Sequence, residues 1–154
     1  MNNVLTNFEQ FFAETLFGLA VMVVVILFTM YTFLEILLAY RSSIDPKITK
    51  GRRFEVIKFI AFVMLLVAAQ FFALLIWVLS LTGLEIVSHW VPALLFTASF
   101  FTSVGNFTAV LPEGWSLTPS IIAFSGLFSF AWATAATMSM ARTLMEQLDR
   151  YKED

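Results

Sequence analysis

From Ser99 to Gly114 the chain reads SFFTSVGNFTAVLPEG. Thr102, Ser103, Val104, Gly105 and Asn106 form a small, polar run between two long apolar stretches, and no charge occurs in the segment before Glu113. The polar atoms on offer are hydroxyls, one carboxamide and backbone carbonyls. The chemistry open to them is to replace the water around a dehydrated cation, as carbonyl and hydroxyl oxygens can. A short helix ending just before the run would add the partial negative charge of its C-terminus, which favours a cation there. One copy of such a loop cannot surround an ion. Several copies around an axis can, so this chemistry calls for a closed cyclic homo-oligomer.

The elements that must position the run are membrane helices. The chain is 60% hydrophobic and 13% charged, whereas a soluble domain is nearer half apolar and a quarter charged. A core this small cannot hide the excess. Three runs reach the roughly 20 apolar residues that a bilayer requires: Leu16 to Tyr40, Phe59 to Thr82, and Leu117 to Ala141. No basic residue precedes the first run, so it is expected to be a permanent helix rather than a secretory signal. Residues 1–15, with Glu9 and Glu14 among phenylalanines, are read as a frayed extension of that helix.

Cysteine is absent and His89 is the single histidine. Disulfides, thiolate catalysis, cysteine metal sites and a bis-histidine haem within one chain are thereby excluded. The scattered acids form no ligand set, so neither an enzyme nor a resident cofactor is expected. The chain shows no inverted repeat of the transporter kind and no arginine repeat of a voltage sensor. Nucleic acid is not an expected partner.

The basic residues fix an orientation. Arg41, Lys47, Lys50, Arg52, Arg53 and Lys58 lie between the first and second runs, and Arg142, Arg150 and Lys152 follow the third. The positive-inside rule puts both groups in the cytoplasm. The expected protein is a multi-pass protein of the cell membrane, N-terminus outside and C-terminus cytoplasmic, with Gly83 to Ser116 on the outer side. In that outer segment Ser88 is a candidate N-cap and Pro92 suits a first helical turn. Ala93 to Thr102 is apolar but too short to span, which suggests a re-entrant helix. Irregular backbone at membrane depth must be surrounded by protein or line a cavity.

At this point a resemblance becomes specific. Trp90 to Gly105, WVPALLFTASFFTSVG, resembles the pore helix and first half of the selectivity filter of potassium channels. Pro92-Ala93-Leu94 stands where such channels often carry the same tripeptide, and Ser103-Val104-Gly105 is similar to their Thr-Val-Gly. Gly126, 21 residues beyond Gly105, resembles the inner-helix hinge glycine, and the FSFAWATAA that follows resembles the small-residue stretch below that hinge. The likeness covers roughly residues 85–145. It implies an all-α membrane protein: three transmembrane helices, with a re-entrant pore helix and filter loop between the second and third, assembled as a homotetramer in the lipid bilayer. The whole of 1–154 forms one membrane domain. Residues 1–58 supply an extra helix and basic cytoplasmic loop, 59–145 the pore domain, and 146–154 a cytoplasmic tail.

The implied filter residues are Thr102, Ser103, Val104, Gly105 and Asn106, the outer mouth is Phe107, Thr108 and Glu113, and the hinge is Gly126. Permeant cations are the implied ligands: potassium, with sodium as a second ion and a divalent ion at a ring of Glu113 carboxylates. The chain departs from the family after Gly105, with Asn106-Phe107-Thr108 in place of Tyr-Gly-Asp. Phe107 in a left-handed conformation would cost roughly 1–2 kcal/mol. Ser99 and Thr108 replace the carboxylate pair that braces the filter. Both change together, so no buried charge is orphaned. These departures imply relaxed selectivity. They also support an alternative, a non-conducting membrane subunit that keeps the pore-loop fold with a lost filter.

Other residues receive plainer readings. Glu35 is expected to snorkel toward Arg41. Gln70, midway along the second run, is expected to hydrogen-bond between helices. Trp77, Trp90 and Trp115 read as interfacial anchors, and Trp132 as either a constriction or a packing residue. Gly83 is expected to end the second helix.

Overall fold

A computed structural model of the chain describes residues 2–44, 52–105, 111–112 and 115–153. The described residues are all-helical, with four helices: α1 (Asn2–Ser42), α2 (Arg52–Gly83), α3 (Trp90–Phe101) and α4 (Thr118–Glu153). Three are long and apolar enough to cross a membrane, over Phe11–Ser42, Arg53–Gly83 and Thr118–Asp149. α3 is the short apolar helix between the second and third of these. Many large apolar side chains face outward, including Leu27, Tyr31, Phe71 and Leu79. Such a surface is costly in water and suited to hydrocarbon.

The helices start and stop where local chemistry requires. α2 ends at Gly83, as expected. At the α1–α2 turn the Lys58 ammonium donates to the Ser43 carbonyl at 3.0 Å and pairs with Glu55 at 3.0 Å. A cation beside the last carbonyls of α1 satisfies groups that the helix leaves open. α1 starts at Asn2, so residues 2–15 extend the first membrane helix, as expected. At 1.5 Å per residue its 41 residues reach about 60 Å, well beyond the hydrocarbon core.

α1 packs on both α2 and α4, and α3 lies against α2 and α4. α1 and α4 run in the same direction: Glu14 meets Thr118 near their starts and Arg41 meets Ser139 further along. One core joins Val25, Trp77, Phe96, Phe101 and Ile122 around α3, and a second joins Phe33, Tyr40, Leu66 and Met140 at the other end.

Several side chains depart from their simple readings. Trp77 has no exposed surface, because α3 folds back over this stretch of α2. It is a core residue rather than an interfacial anchor. Its indole N–H donates to the Ser125 hydroxyl at 2.8 Å, and that hydroxyl donates to the Ile122 carbonyl at 2.8 Å. Trp115 stacks edge-on against Phe17, Trp90 is exposed, and Trp132 packs against the second core. Arg41 donates to Ser139 at 3.1 Å, while Glu35 stays exposed on α1. The Gln70 carboxamide is buried, and both its oxygen and its nitrogen lack a partner among the described residues, so the expected interhelical hydrogen bond is not made.

Candidate functional site

The site is built at the C-terminal end of α3. His89, rather than Ser88, is the N-cap residue, with extended backbone (φ −130°, ψ 135°) and no side-chain capping bond. Pro92 falls in the first turn, where its missing N–H costs nothing. The helix then carries Ala93, Phe96, Thr97 and Phe101 inward.

After Phe101 the chain turns sharply instead of extending. Ser103 takes a left-handed conformation (φ 61°) and Gly105 another (φ 68°). Thr102 N–H donates to the Ala98 carbonyl at 3.0 Å, and Ser103 N–H to Phe100 at 2.9 Å. Val104 and Gly105 N–H both donate to Ser99, at 2.9 and 3.1 Å. The Ser103 and Val104 bonds make a Schellman cap, with Ser103 in the place glycine usually holds. The cap closes carbonyls that the end of α3 would otherwise leave open. The small polar run therefore begins with a tight turn.

This cap has a consequence for the loop carbonyls. In a trans peptide the N–H and the preceding C=O point in opposite directions. With the amides of residues 102–105 turned back onto α3, the carbonyls of Phe101, Thr102, Ser103 and Val104 point away from it. The Phe101 carbonyl meets Gly126. The carbonyls of Thr102, Ser103 and Val104 accept no hydrogen bond from the described residues. All four residues from Thr102 to Gly105 are exposed. Among the described residues the arrangement is three successive unpaired carbonyls at a helix's negative end. The Thr102 hydroxyl is spent on Ala98, at 2.7 Å.

Gly126 sets the depth of this end. A Cβ there would overlap the Phe101 carbonyl oxygen, and would stand 2.8 Å from the carbonyl carbon and 3.0 Å from the Phe101 Cα. The helix runs unbroken through Gly126. Its missing side chain serves close approach of α3, with the Gly126 Cα–H directed at the carbonyl. Gly126 lies eight residues after the start of α4, so α3 ends about 12 Å down that helix. On the α2 side Phe101 and Thr102 share with Gln70 and Phe71 the wall of an apolar cavity of ≈ 270 Å³.

Of the predicted site residues, Thr102, Ser103, Val104 and Gly105 come together in one turn and Gly126 sits beneath it. Asn106, Phe107, Thr108 and Glu113 lie outside the described residues. The Ser99 hydroxyl is buried and unpartnered among the described residues; Thr108, the other residue that replaces the carboxylate pair, lies outside them.

Sequence reasoning missed Glu14. Its Oε1 accepts from Leu117 N–H at 2.6 Å, Thr118 N–H at 2.8 Å and the Thr118 hydroxyl at 3.1 Å. The carboxylate from α1 thus caps the start of α4. The readable signal was at the other partner: Leu117, just before α4, has no side-chain acceptor for the open amides, so one must come from elsewhere. No protein-family profile, curated protein or solved structure matches the chain.

Proposed function

We propose that the chain is the pore-forming subunit of a cation channel, four copies surrounding an axis lined by the Thr102–Gly105 loops. The observation that carries this reading is that the carbonyls of Thr102, Ser103 and Val104, all exposed residues, accept no hydrogen bond from the described residues, partway down a bundle of membrane-length helices. Four such loops supply rings of oxygen that take the place of a cation's water. The resemblance of Trp90–Gly105 to a potassium-channel pore helix and filter supports it independently. In this reading α3 re-enters the membrane from the outer side, the N-terminus lies outside, and the basic α1–α2 link faces the cytoplasm. Potassium is the first permeant ion and sodium the second, because only the inner half of the filter pattern is kept.

Gating by a bend at Gly126 would have to move the Phe101 carbonyl seated there. On this reading inner-helix motion and filter geometry are coupled rather than separate.

The non-conducting alternative draws on the Ser103 turn, which ties the loop to its own helix. Currents from purified protein in planar bilayers decide between them. The expected result is a cation current whose reversal potential in a potassium/sodium gradient lies between the two Nernst values. Silence at all voltages, with a verified tetramer in the membrane, would favour the non-conducting subunit.

A further inference from the structure

Glu14 has no exposed surface. One of its oxygens, Oε1, takes all three hydrogen bonds from Leu117 and Thr118. The other, Oε2, is buried with no partner among the described residues. No cation compensates it among the described residues. α1 carries no basic residue before Arg41, α3 carries no charge, and α4 none before Arg142. At this end of the bundle Glu85 and His89 are exposed in the α2–α3 turn, and neither bonds to Glu14. Glu9 is the other acid of this end of α1, and Glu113 lies outside the described residues. The carboxyl group is held by two backbone amides and one hydroxyl at the positive end of α4.

We propose that Glu14 is a proton-sensitive latch that fastens α1 to the start of α4. With Oε1 engaged by three donors, an added proton goes to Oε2. There it creates a buried O–H donor that has no acceptor among the described residues, and it removes the charge that the helix start attracts. Acid therefore weakens the hold of α1 on Leu117 and Thr118. The consequence reaches the loop through α4. Ile121 packs at Gly18 one turn on, and Gly126, about two turns on, seats the Phe101 carbonyl. Glu14 is a positioning residue: it fixes the two turns of α4 on which the end of α3 rests. The latch stands on the contact between α1 and α4 and does not require the channel reading.

The chain has no cysteine, so one spin label can be placed alone. Ser116→Cys puts it at an exposed position just before the capped amides. The labelled protein, with Glu14 or with Glu14→Gln, is reconstituted in phosphatidylcholine–phosphatidylglycerol vesicles. Its motion is compared at neutral pH and after stepwise acidification. With Glu14 present, the label's correlation time is expected to shorten several-fold in acid and to recover on neutralisation. With Glu14→Gln it is expected to be short at every pH. A protonated-carboxyl infrared band is expected to grow in acid with Glu14 and to be missing with Gln. Should Glu14→Gln fail to fold, Glu14→Asp keeps the charge, and its infrared band and label response replace the comparison. A label whose motion ignores pH, or responds equally with Glu14 and Gln, overturns the latch. Ion flux through the same vesicles is a separate reading: silence there counts against the channel and leaves the latch untouched.

Discussion

The α-carbon of Gly126 faces the carbonyl of Phe101 so closely that a side chain at that position would overlap the oxygen. The obstacle is backbone, which cannot rotate away as a side-chain tip can. Gly126→Ala is therefore expected to push α3 off α4 and to cost about 1–3 kcal/mol, the range for overpacking. Any gain in helix propensity, at most about 1 kcal/mol, is outweighed. Thermal unfolding in detergent checks this. A variant as stable as wild type would mean that α3 is not seated on Gly126.

Ser103 occupies a left-handed turn that favours glycine. Ser103→Gly relieves that conformation and is expected to stabilise the protein by up to about 1 kcal/mol. Ser103→Val, β-branched, is expected to destabilise it by at least as much. The pair also separates side chain from backbone in the proposed conduction path. If ions are held by carbonyls alone, Ser103→Gly keeps its current. Loss of current in a folded, tetrameric Ser103→Gly would assign the hydroxyl a direct part.

Gly105 has φ 68° with open space around its Cα among the described residues. Gly105→Ala thus meets no neighbour among them and tests the backbone effect. It is expected to cost about 1–2 kcal/mol if the turn is kept, or to flip the turn and redirect the Val104 carbonyl. Stability and current measured together tell these apart. A variant unchanged in both would show that the left-handed turn at Gly105 matters to neither.

Trp77 and Ser125 form a buried hydrogen bond across α2 and α4. Ser125→Ala leaves a buried indole N–H without an acceptor and is expected to cost about 1–3 kcal/mol. Trp77→Phe removes the donor and also shrinks a ring with no exposed surface, so its cost is larger. The double variant is expected to cost less than the sum, because the bond is lost once. Additive losses in unfolding experiments would exclude the bond as a shared contribution.

The long helices and their order were legible in the sequence because hydrophobic length is a one-dimensional property. Gly83 as the end of α2, and Pro92 in the first turn of a short α3, were legible for the same reason: a local rule acts on adjacent residues. Glu14 and Trp77 were not. Each takes its role from a partner on another helix, so nothing near it in the chain marks the contact. Trp77 reads as an interfacial anchor until α3 is folded back over it. Glu14 reads as one acid in a polar extension until Thr118 is brought beside it, 104 residues away. The Ser103 cap falls between these cases. The need to close the carbonyls of α3 was predictable, but a serine there gives no sign of a left-handed turn.

The proposed orientation makes a prediction that depends on no current. Ser43 is exposed at the turn after α1, beside Lys58, and Ser116 is exposed just before α4, at the opposite end of the bundle. The absence of cysteine allows Ser43→Cys and Ser116→Cys to be probed singly. The positive-inside rule places Ser43 with the basic link in the cytoplasm. A membrane-impermeant maleimide added to intact cells or right-side-out vesicles is expected to label Ser116→Cys and spare Ser43→Cys. Inverted vesicles are expected to reverse the pattern. Labelling of both from one side would mean that the two turns share a face, which a single crossing by α1 does not permit. The reverse pattern in intact cells would keep the crossing and turn the protein over, placing the Thr102–Gly105 loop nearer the cytoplasmic side.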